Sequence, residues 1–147
     1  MNPQFRPATD ADTERLAAIA AGARDGAWTR GQIAGSLHGG SQVLVAQIDA
    51  DIVGFAVLQT VLDDAELHEI VIARDWQRRG LGRQLLDTVL AAARTAGATR
   101  LLLEVRAGNG AALALYTARG FVRCGVRRDY YRTDNGREDA ILMEIAL

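Results

Sequence analysis

Leu81, Leu85, Leu86, Val89, Leu90 and Ala93 recur at spacings of one, three and four, which lays one apolar stripe along a helix that Gly97 can end. Such a stripe has to be buried against another element. The residues just before it supply one. Ile70, Val71 and Ile72 read as an apolar strand, and the stretch between strand and helix is short and rich in glycine and arginine. A strand, a tight turn and a long amphipathic helix therefore set the pattern for a layered α-on-β structure.

The rest of the chain fits that pattern. Residues 4–7 read as a first strand. Thr9 followed by Asp12 is a weak capping box ahead of a helix carrying Leu16, Ile19 and Ala20. A second short helix is expected from Thr29, just after Trp28, to Gly39-Gly40. Val43–Ile48 and Ile52–Val61 form a hairpin around 49–51. Asp63, Asp64 and Glu66 read as a polar turn before the strand at 65–73. A strand over 99–107 follows the long helix. Next comes a shorter helix from Asn109 to Gly120, and then two strands joined through the turn Asp134-Asn135-Gly136. The order is strand, two helices, three strands, helix, strand, helix, two strands. That is an α+β class rather than an alternating doubly wound one. With 147 residues, no repeat and no linker, residues 1–147 are expected to form a single domain.

Composition removes several function classes. Eighteen acids against 17 bases leave a net charge of -1, so no basic nucleic-acid coat is present. Every base is arginine; a catalytic or phosphate-binding lysine is excluded. Two histidines and one cysteine argue against a zinc site, and no metal is expected. Cys124 has no disulfide partner within the chain. No apolar run reaches the roughly 18 residues of a membrane span, and MNPQFRPATD lacks the apolar stretch of a signal peptide. No membrane partner is expected, and the expected location is the cytoplasm.

The turn Gln77-Arg78-Arg79-Gly80-Leu81-Gly82-Arg83 is the most informative stretch. The first turn of a helix has N–H groups that no helix carbonyl accepts, and the peptide dipoles add positive charge there. Gly80 and Gly82 let a phosphate oxygen come close to the backbone, and Arg78, Arg79 and Arg83 add donors. A diphosphate suits this turn, although a solvated basic helix start would read similarly. It is not a dinucleotide fingerprint, because the third glycine is missing.

Gln77 to Gly82 resembles the acetyl-CoA pyrophosphate signature of the GCN5-related N-acetyltransferases (GNAT), and the order of elements is similar to theirs. Leu103-Glu104-Val105-Arg106-Ala107, Asn109, Ala111-Ala112, Leu115-Tyr116 and Gly120-Phe121 resemble the RimI-type ribosomal-protein-alanine N-acetyltransferases within that superfamily. So do Arg128-Asp129-Tyr130-Tyr131 and Gly136-Arg137-Glu138-Asp139-Ala140, with Trp28 and Val61-Leu62-Asp63. The likeness covers nearly the whole chain. It implies an acyl-CoA acyltransferase fold with a central mixed, mostly antiparallel sheet flanked by helices. It also implies acetyl-CoA as co-substrate and the N-terminal alanine of the eighteenth small-subunit ribosomal protein as acceptor. Arg132 stands where this family often has proline, which leaves the rigidity of that loop open.

Acetyl transfer needs a neutral amine, donors for the carbonyl oxygen and a proton for the departing thiolate. A terminal α-amine, with a pKa of about 7.7–8.0, asks less of a base than a lysine near 10.4, so one carboxylate suits it. Glu104 shares a strand face with Leu102 and Arg106. Pattern alone leaves it either a partly desolvated base or one half of a pair with Arg106. Tyr116 reads as a general acid for the sulfur or as a core tyrosine. The resemblance assigns base to Glu104, acid to Tyr116 and a cofactor contact to Asn109, which is compatible with a role as helix N-cap. It also has the main chain of Ile70, Val71 and Ile72 splay from the neighbouring strand and hold the pantetheine arm and acetyl carbonyl, a backbone form of oxyanion support.

Alternation places Leu67, Glu69 and Val71 on one face, with Glu69 toward the acceptor amine or paired with a surface arginine such as Arg74. Tyr130 and Tyr131 are expected to wall the acceptor slot or cover a sheet edge. His38 reads as an exposed cap, His68 as a strand surface residue and Cys124 as a small buried hydrophobe. The expected function is direct acetyl transfer to a protein N-terminal α-amine. The alternatives are acetylation of lysines or small amines, and a non-catalytic CoA-binding or interaction module. The partner expected is the ribosomal protein or its N-terminal peptide, with no direct nucleic-acid recognition. The oligomeric state is not legible.

Overall fold

A computed structural model describes residues 2–23 and 27–147. Its strands are β1 (Gln4–Pro7), β2 (Gln42–Ile48), β3 (Asp51–Val61), β4 (Asp64–Ile72), β5 (Arg100–Arg106), β6 (Val122–Thr133) and β7 (Gly136–Ala146). The helices are α1 (Thr13–Ala23), α2 (Arg30–His38), α3 (Leu81–Thr95) and α4 (Gly110–Ala118). The element order is the one the sequence pattern gives. The sheet runs β1-β2-β3-β4-β5-β7-β6, antiparallel throughout except where β4 meets β5. That parallel seam follows from the β4–α3–β5 crossover, because only a helix-length connection returns a strand in the same direction.

Each face of the sheet is covered. From Leu85 to Ala93 the α3 stripe is buried against Leu58, Leu67, Leu101 and Leu103, and α4 adds Tyr116 to the same cluster. On the other face, Leu16, Ile19 and Ala20 of α1 and Ile33 of α2 cover Val43, Val45, Phe55 and Val57. Leu85, Leu86 and Phe55 are fully buried, and each contributes about 1.5–3 kcal/mol by leaving water. Thr9 N–H donates to Asp12 Oδ2 at 2.8 Å, one limb of the expected capping box, and Thr29 with Gln32 forms another at α2.

Three expectations are corrected. The acids at 63–66 do not all lie in a turn, because β4 begins at Asp64. Asp64 accepts from Arg100 Nε at 2.8 Å on the neighbouring strand, which ties the closed end of the parallel seam. Cys124 is exposed rather than buried, because β6 is the sheet's edge strand. The third correction concerns the alternation along β4. Val57 pairs with Glu69 and Leu58 with Leu67, so His68 is an extra residue, a β-bulge. A one-residue slip reverses side-chain direction. Leu67 consequently packs toward α3, whereas Val71 packs with Leu16 and Phe55 toward α1. After the bulge, Ile70 and Ile72 are the residues that turn toward α3.

Candidate active site

β4 pairs with β5 only over Asp64–Leu67 against Arg100–Leu103. Beyond that point each strand stays bonded to its outer neighbour. β4 holds β3 as far as Gly54–Ile72, and β5 holds β7 as far as Arg106–Ala140. The two inner edges therefore diverge and leave main-chain groups facing a gap. A cavity of about 330 Å³ occupies it. Glu69, Ile70 and Ile72 line it from β4, and Glu104 and Arg106 line it from β5. Asn109 and Tyr116 come from α4 and its cap, Gly82 from α3 and Tyr131 from β6.

One end of the gap is the start of α3. Gly80 caps the helix in the left-handed region, with φ 79°. Arg78, a residue with a side chain, also sits at φ 64°. A Cβ at Gly80 would meet nothing within 4 Å, and one at Gly82 would meet only Leu115 and Ile72, at 3.8 and 3.9 Å. The N–H groups of Leu81, Gly82 and Arg83 have no preceding helix carbonyl to bond. The Leu81 side chain is buried with Ala46, Ile48 and Val53, so only its backbone is available there. Gln77 Nε2 donates to the Ile72 carbonyl at 3.0 Å and ties the turn to the end of β4. Arg78 and Arg83 are exposed beside it. The Arg79 guanidinium lies 4.9 Å from the Trp76 ring centroid.

The other end holds the titratable groups. Glu104 Oε1 accepts from the Tyr131 hydroxyl at 2.8 Å, and its Oε2 lies 3.8 Å from Arg127. Burial foremost, then the bond to Glu104, pushes the Tyr131 phenol above its ordinary range. The pairing of Glu104 with Arg106 weighed from sequence does not form. Arg106 turns instead to Glu138, at 3.6 Å. Tyr116 is 5% exposed and packs against the Phe121 ring, with centroids 5.5 Å apart. Asn109 Oδ1 accepts from Ala112 N at 3.1 Å, so it is the N-cap and also lines the cavity. Glu69 is 5% exposed, and its Oε1 accepts from the Ile70 N–H at 3.2 Å.

A second cavity of about 440 Å³ shares Trp28, Leu67, His68, Glu104 and Tyr131 with the first. Leu142, Cys124 and Arg127 line its far side. Trp28 and His68 stack at 6.4 Å between ring centroids, and His68 Nε2 lies 3.1 Å from Glu66. His38 is exposed and pairs with Asp10, away from both cavities. Among the described residues no cluster of His, Cys, Asp or Glu could hold a metal.

Of the expected residues, Glu69, Ile70, Ile72, Gly82, Glu104, Asn109, Tyr116 and Tyr131 line the gap; Arg78, Arg79, Gly80, Leu81 and Arg83 stand at the α3 turn without lining it, and Val71 and Tyr130 lie off it. The bulge sends the Val71 side chain into the α1-side core, and its carbonyl faces Gly54 of β3 rather than the gap. Tyr130 stands 48% exposed, edge-on to Tyr131 at 5.2 Å, with Arg127 over its own ring. Sequence reasoning missed Arg127 beside Glu104, Glu138 as the partner of Arg106, and Arg106 over the Tyr131 ring. The adjacent acids in Gly136–Ala140, set just after a turn, were the available signal.

The acetyltransferase (GNAT) family model matches residues 10–121. The ribosomal protein bS18-alanine N-acetyltransferase of Salmonella typhimurium is 46% identical over 110 residues, 74% of each chain. The enzyme of that name from Escherichia coli K12 is 48% identical over 93 residues, 63% of each chain. The crystal structure of the ribosomal-protein-S18-alanine N-acetyltransferase from Escherichia coli superposes with a TM-score of 0.93 at 34% identity, covering 99% of this chain and 94% of that one.

Proposed function

The chain belongs to the GNAT acetyltransferase family, in its ribosomal-protein-alanine branch, and from that premise we propose that it moves the acetyl group of acetyl-CoA to the N-terminal α-amine of ribosomal protein bS18, an alanine. The observation that carries this reading is the divergence of β4 from β5, which brings Glu104 and Tyr116 onto one cavity. Residues 1–147 are taken as one acetyltransferase domain. Because the acceptor is a ribosomal protein, the cytoplasm is the proposed location. No helix among the described residues is long and apolar enough to cross a membrane.

The residues present fit the co-substrate. The left-handed Gly80 and the open space above it leave room for a diphosphate against the first N–H groups of α3, with Arg78, Arg79 and Arg83 as charge partners. The edge of β4 at Ile70 and Ile72, which no strand covers, offers main-chain partners to an amide-bearing arm. When bound, acetyl-CoA supplies a thioester whose carbonyl carbon is open to attack.

The chain's own groups divide the proton work. Glu104 accepts a proton from the α-amine, directly or through a water, as nitrogen bonds to the carbonyl carbon. The carbon–sulfur bond breaks, and the Tyr116 hydroxyl protonates the departing thiolate. Glu69, Tyr130 and Tyr131 are proposed to contact the acceptor peptide, Tyr131 from inside the gap and Tyr130 from its rim. The test is an acetyl-CoA assay over short peptides that differ in the first residue, read by mass spectrometry. Acetylation of a free N-terminal alanine, abolished by blocking that amine, supports the reading. Turnover that persists on an internal lysine overturns it.

A further inference from the structure

Two neighbouring acids on β7, Glu138 and Asp139, have no part in the proton transfers above, yet each closes a loop beside the cleft. Glu138 Oε2 accepts from the Gly108 N–H at 2.6 Å, one residue before the N-cap Asn109. A Cβ at position 108 would run into that carboxylate, so glycine is what lets it rest on the backbone. The other carboxylate oxygen, Oε1, lies 3.6 Å from Arg106 Nη1. Arg106 in turn lies 4.3 Å from the centroid of the Tyr131 ring, and the Tyr131 hydroxyl donates to Glu104 at 2.8 Å. Asp139 Oδ1 accepts from the Asp129 N–H at 2.9 Å. Asp129 has φ 54° and lies where β6 slips against β7 between Arg127 and Tyr131.

Glu104 and Arg106 stand two apart on one strand, facing β7 partners Leu142 and Ala140. Same-face neighbours at that spacing are within reach of long side chains. The default partner of the Arg106 guanidinium would therefore be the Glu104 carboxylate. We propose that Glu138 is a positioning residue that prevents this. It holds Arg106 over the Tyr131 ring and away from Glu104, so that the carboxylate keeps only the Tyr131 hydroxyl on Oε1 and the more distant Arg127 near Oε2, with room for the incoming amine. Asp139 holds the slip in β6 that brings Tyr131 into place. The proposal rests on Glu104 being the base. It assigns a task to the Glu-Asp pair that the chemistry leaves unused.

The test is steady-state kinetics on the full chain with an alanine-first peptide. Glu138→Gln keeps an acceptor for Gly108 but gives up the charge that holds Arg106. Its kcat is expected to fall about tenfold, as a small displacement of a reacting group would cause, with the KM for acetyl-CoA within about twofold. Removing the intruding cation should undo this: Arg106→Met with Glu138→Gln is expected to recover at least about threefold in kcat over Glu138→Gln alone. Gly108→Ala pushes the carboxylate off from outside without changing it, and should reproduce the kcat loss even if Glu138→Gln does not fold. Wild-type kcat in Glu138→Gln or in Gly108→Ala overturns the proposal, and so does a double variant no faster than Glu138→Gln. Glu104→Gln measured alongside separates the two levels. Activity retained there defeats the base assignment itself, whereas a dead Glu104→Gln beside a fully active Glu138→Gln defeats only the positioning role.

Discussion

The Tyr131 hydroxyl sits 2.8 Å from Glu104 Oε1, joining residues 27 positions apart and from different strands. A hydrogen bond to a carboxylate contributes about 1.5–3 kcal/mol, so this contact can fix which oxygen lone pairs remain for an amine. Tyr131→Phe keeps the ring and loses the bond. Its kcat should fall about tenfold or more, read by steady-state kinetics, with the folded baseline unchanged by circular dichroism. An unaltered kcat would separate the tyrosine from the chemistry.

The same contact has an alkaline signature. The folded-state pKa of Tyr131 is raised, chiefly by burial. Its contribution to stability is therefore fully present below the ordinary phenol value of about 10 and is lost as pH rises through the raised value. Denaturant midpoints taken from pH 8 upward should begin to decline for the wild type above about pH 10, the ordinary phenol value. The decline should be weaker in Tyr131→Phe. Parallel curves for the two proteins would show that the phenol does not titrate with folding.

Glu104→Gln and Tyr116→Phe should separate by their pH response. Losing a general base or acid costs about 10²- to 10⁴-fold in kcat. The α-amine loses its own proton near pH 7.7–8.0. The deficit of Glu104→Gln should shrink between pH 7 and 9, as solvent supplies the neutral amine, while that of Tyr116→Phe should not. A deficit in Glu104→Gln that is flat with pH would remove the carboxylate from that role.

Gly54 and Gly80 predict two different injuries. A Cβ at Gly54 would approach the Val71 carbonyl oxygen and Ile72 Cδ1 at 2.7 Å, inside the sheet beside the gap. Gly54→Ala should cost several kcal/mol, as overpacking against a backbone does. Gly80 has open space around it but a φ of 79°. Gly80→Ala should cost only about 1–2 kcal/mol, while raising the KM for acetyl-CoA through the shifted turn. Thermal melts and KM together test the contrast, and equal melting losses would contradict it.

Arg6 and Asp12 tie β1 to the start of α1. Arg6 Nη1 lies 2.8 Å from Asp12 Oδ2, and the Arg6 hydrogen bond, foremost, holds the Asp12 carboxyl below its ordinary 3.8. Stability from this pair is present above that value and is lost as pH falls through the depressed one. Asp12→Asn should cost about 2 kcal/mol at pH 7. The gap from wild type should close in the acid limb of a urea-midpoint series, and a gap that stays constant down to pH 2 would rule the pair out.

The parts legible in sequence were those written in local period or in a turn. The α3 stripe and the Gly80-Leu81-Gly82 start needed nothing beyond neighbours three and four apart, and both stand where expected. His68 could not be recognised as a bulge, because a strand with an extra residue has the same composition as one without. Once the bulge is present, Val71 turns to the opposite face. Cys124 was misplaced because residue type gives average burial and cannot say that β6 ends the sheet. Arg106 was the obvious partner for Glu104 by spacing, but Tyr131 and Glu138 come from strands that join only after the chain has doubled back.

The gap between β4 and β5 is bounded along β4 by peptide groups, and every residue except proline presents the same ones. On the proposed reading, Ile70 and Ile72 can therefore drift to valine or leucine without loss of the main-chain partners offered to a thioester arm, and the residues at the far mouth are left to change with the acceptor. A proline at 72 would delete a donor that no side chain replaces. If the proposed site holds, recognition of the donor rests on the backbone of β4 and recognition of the acceptor on side chains at the far mouth, so the second can change without the first.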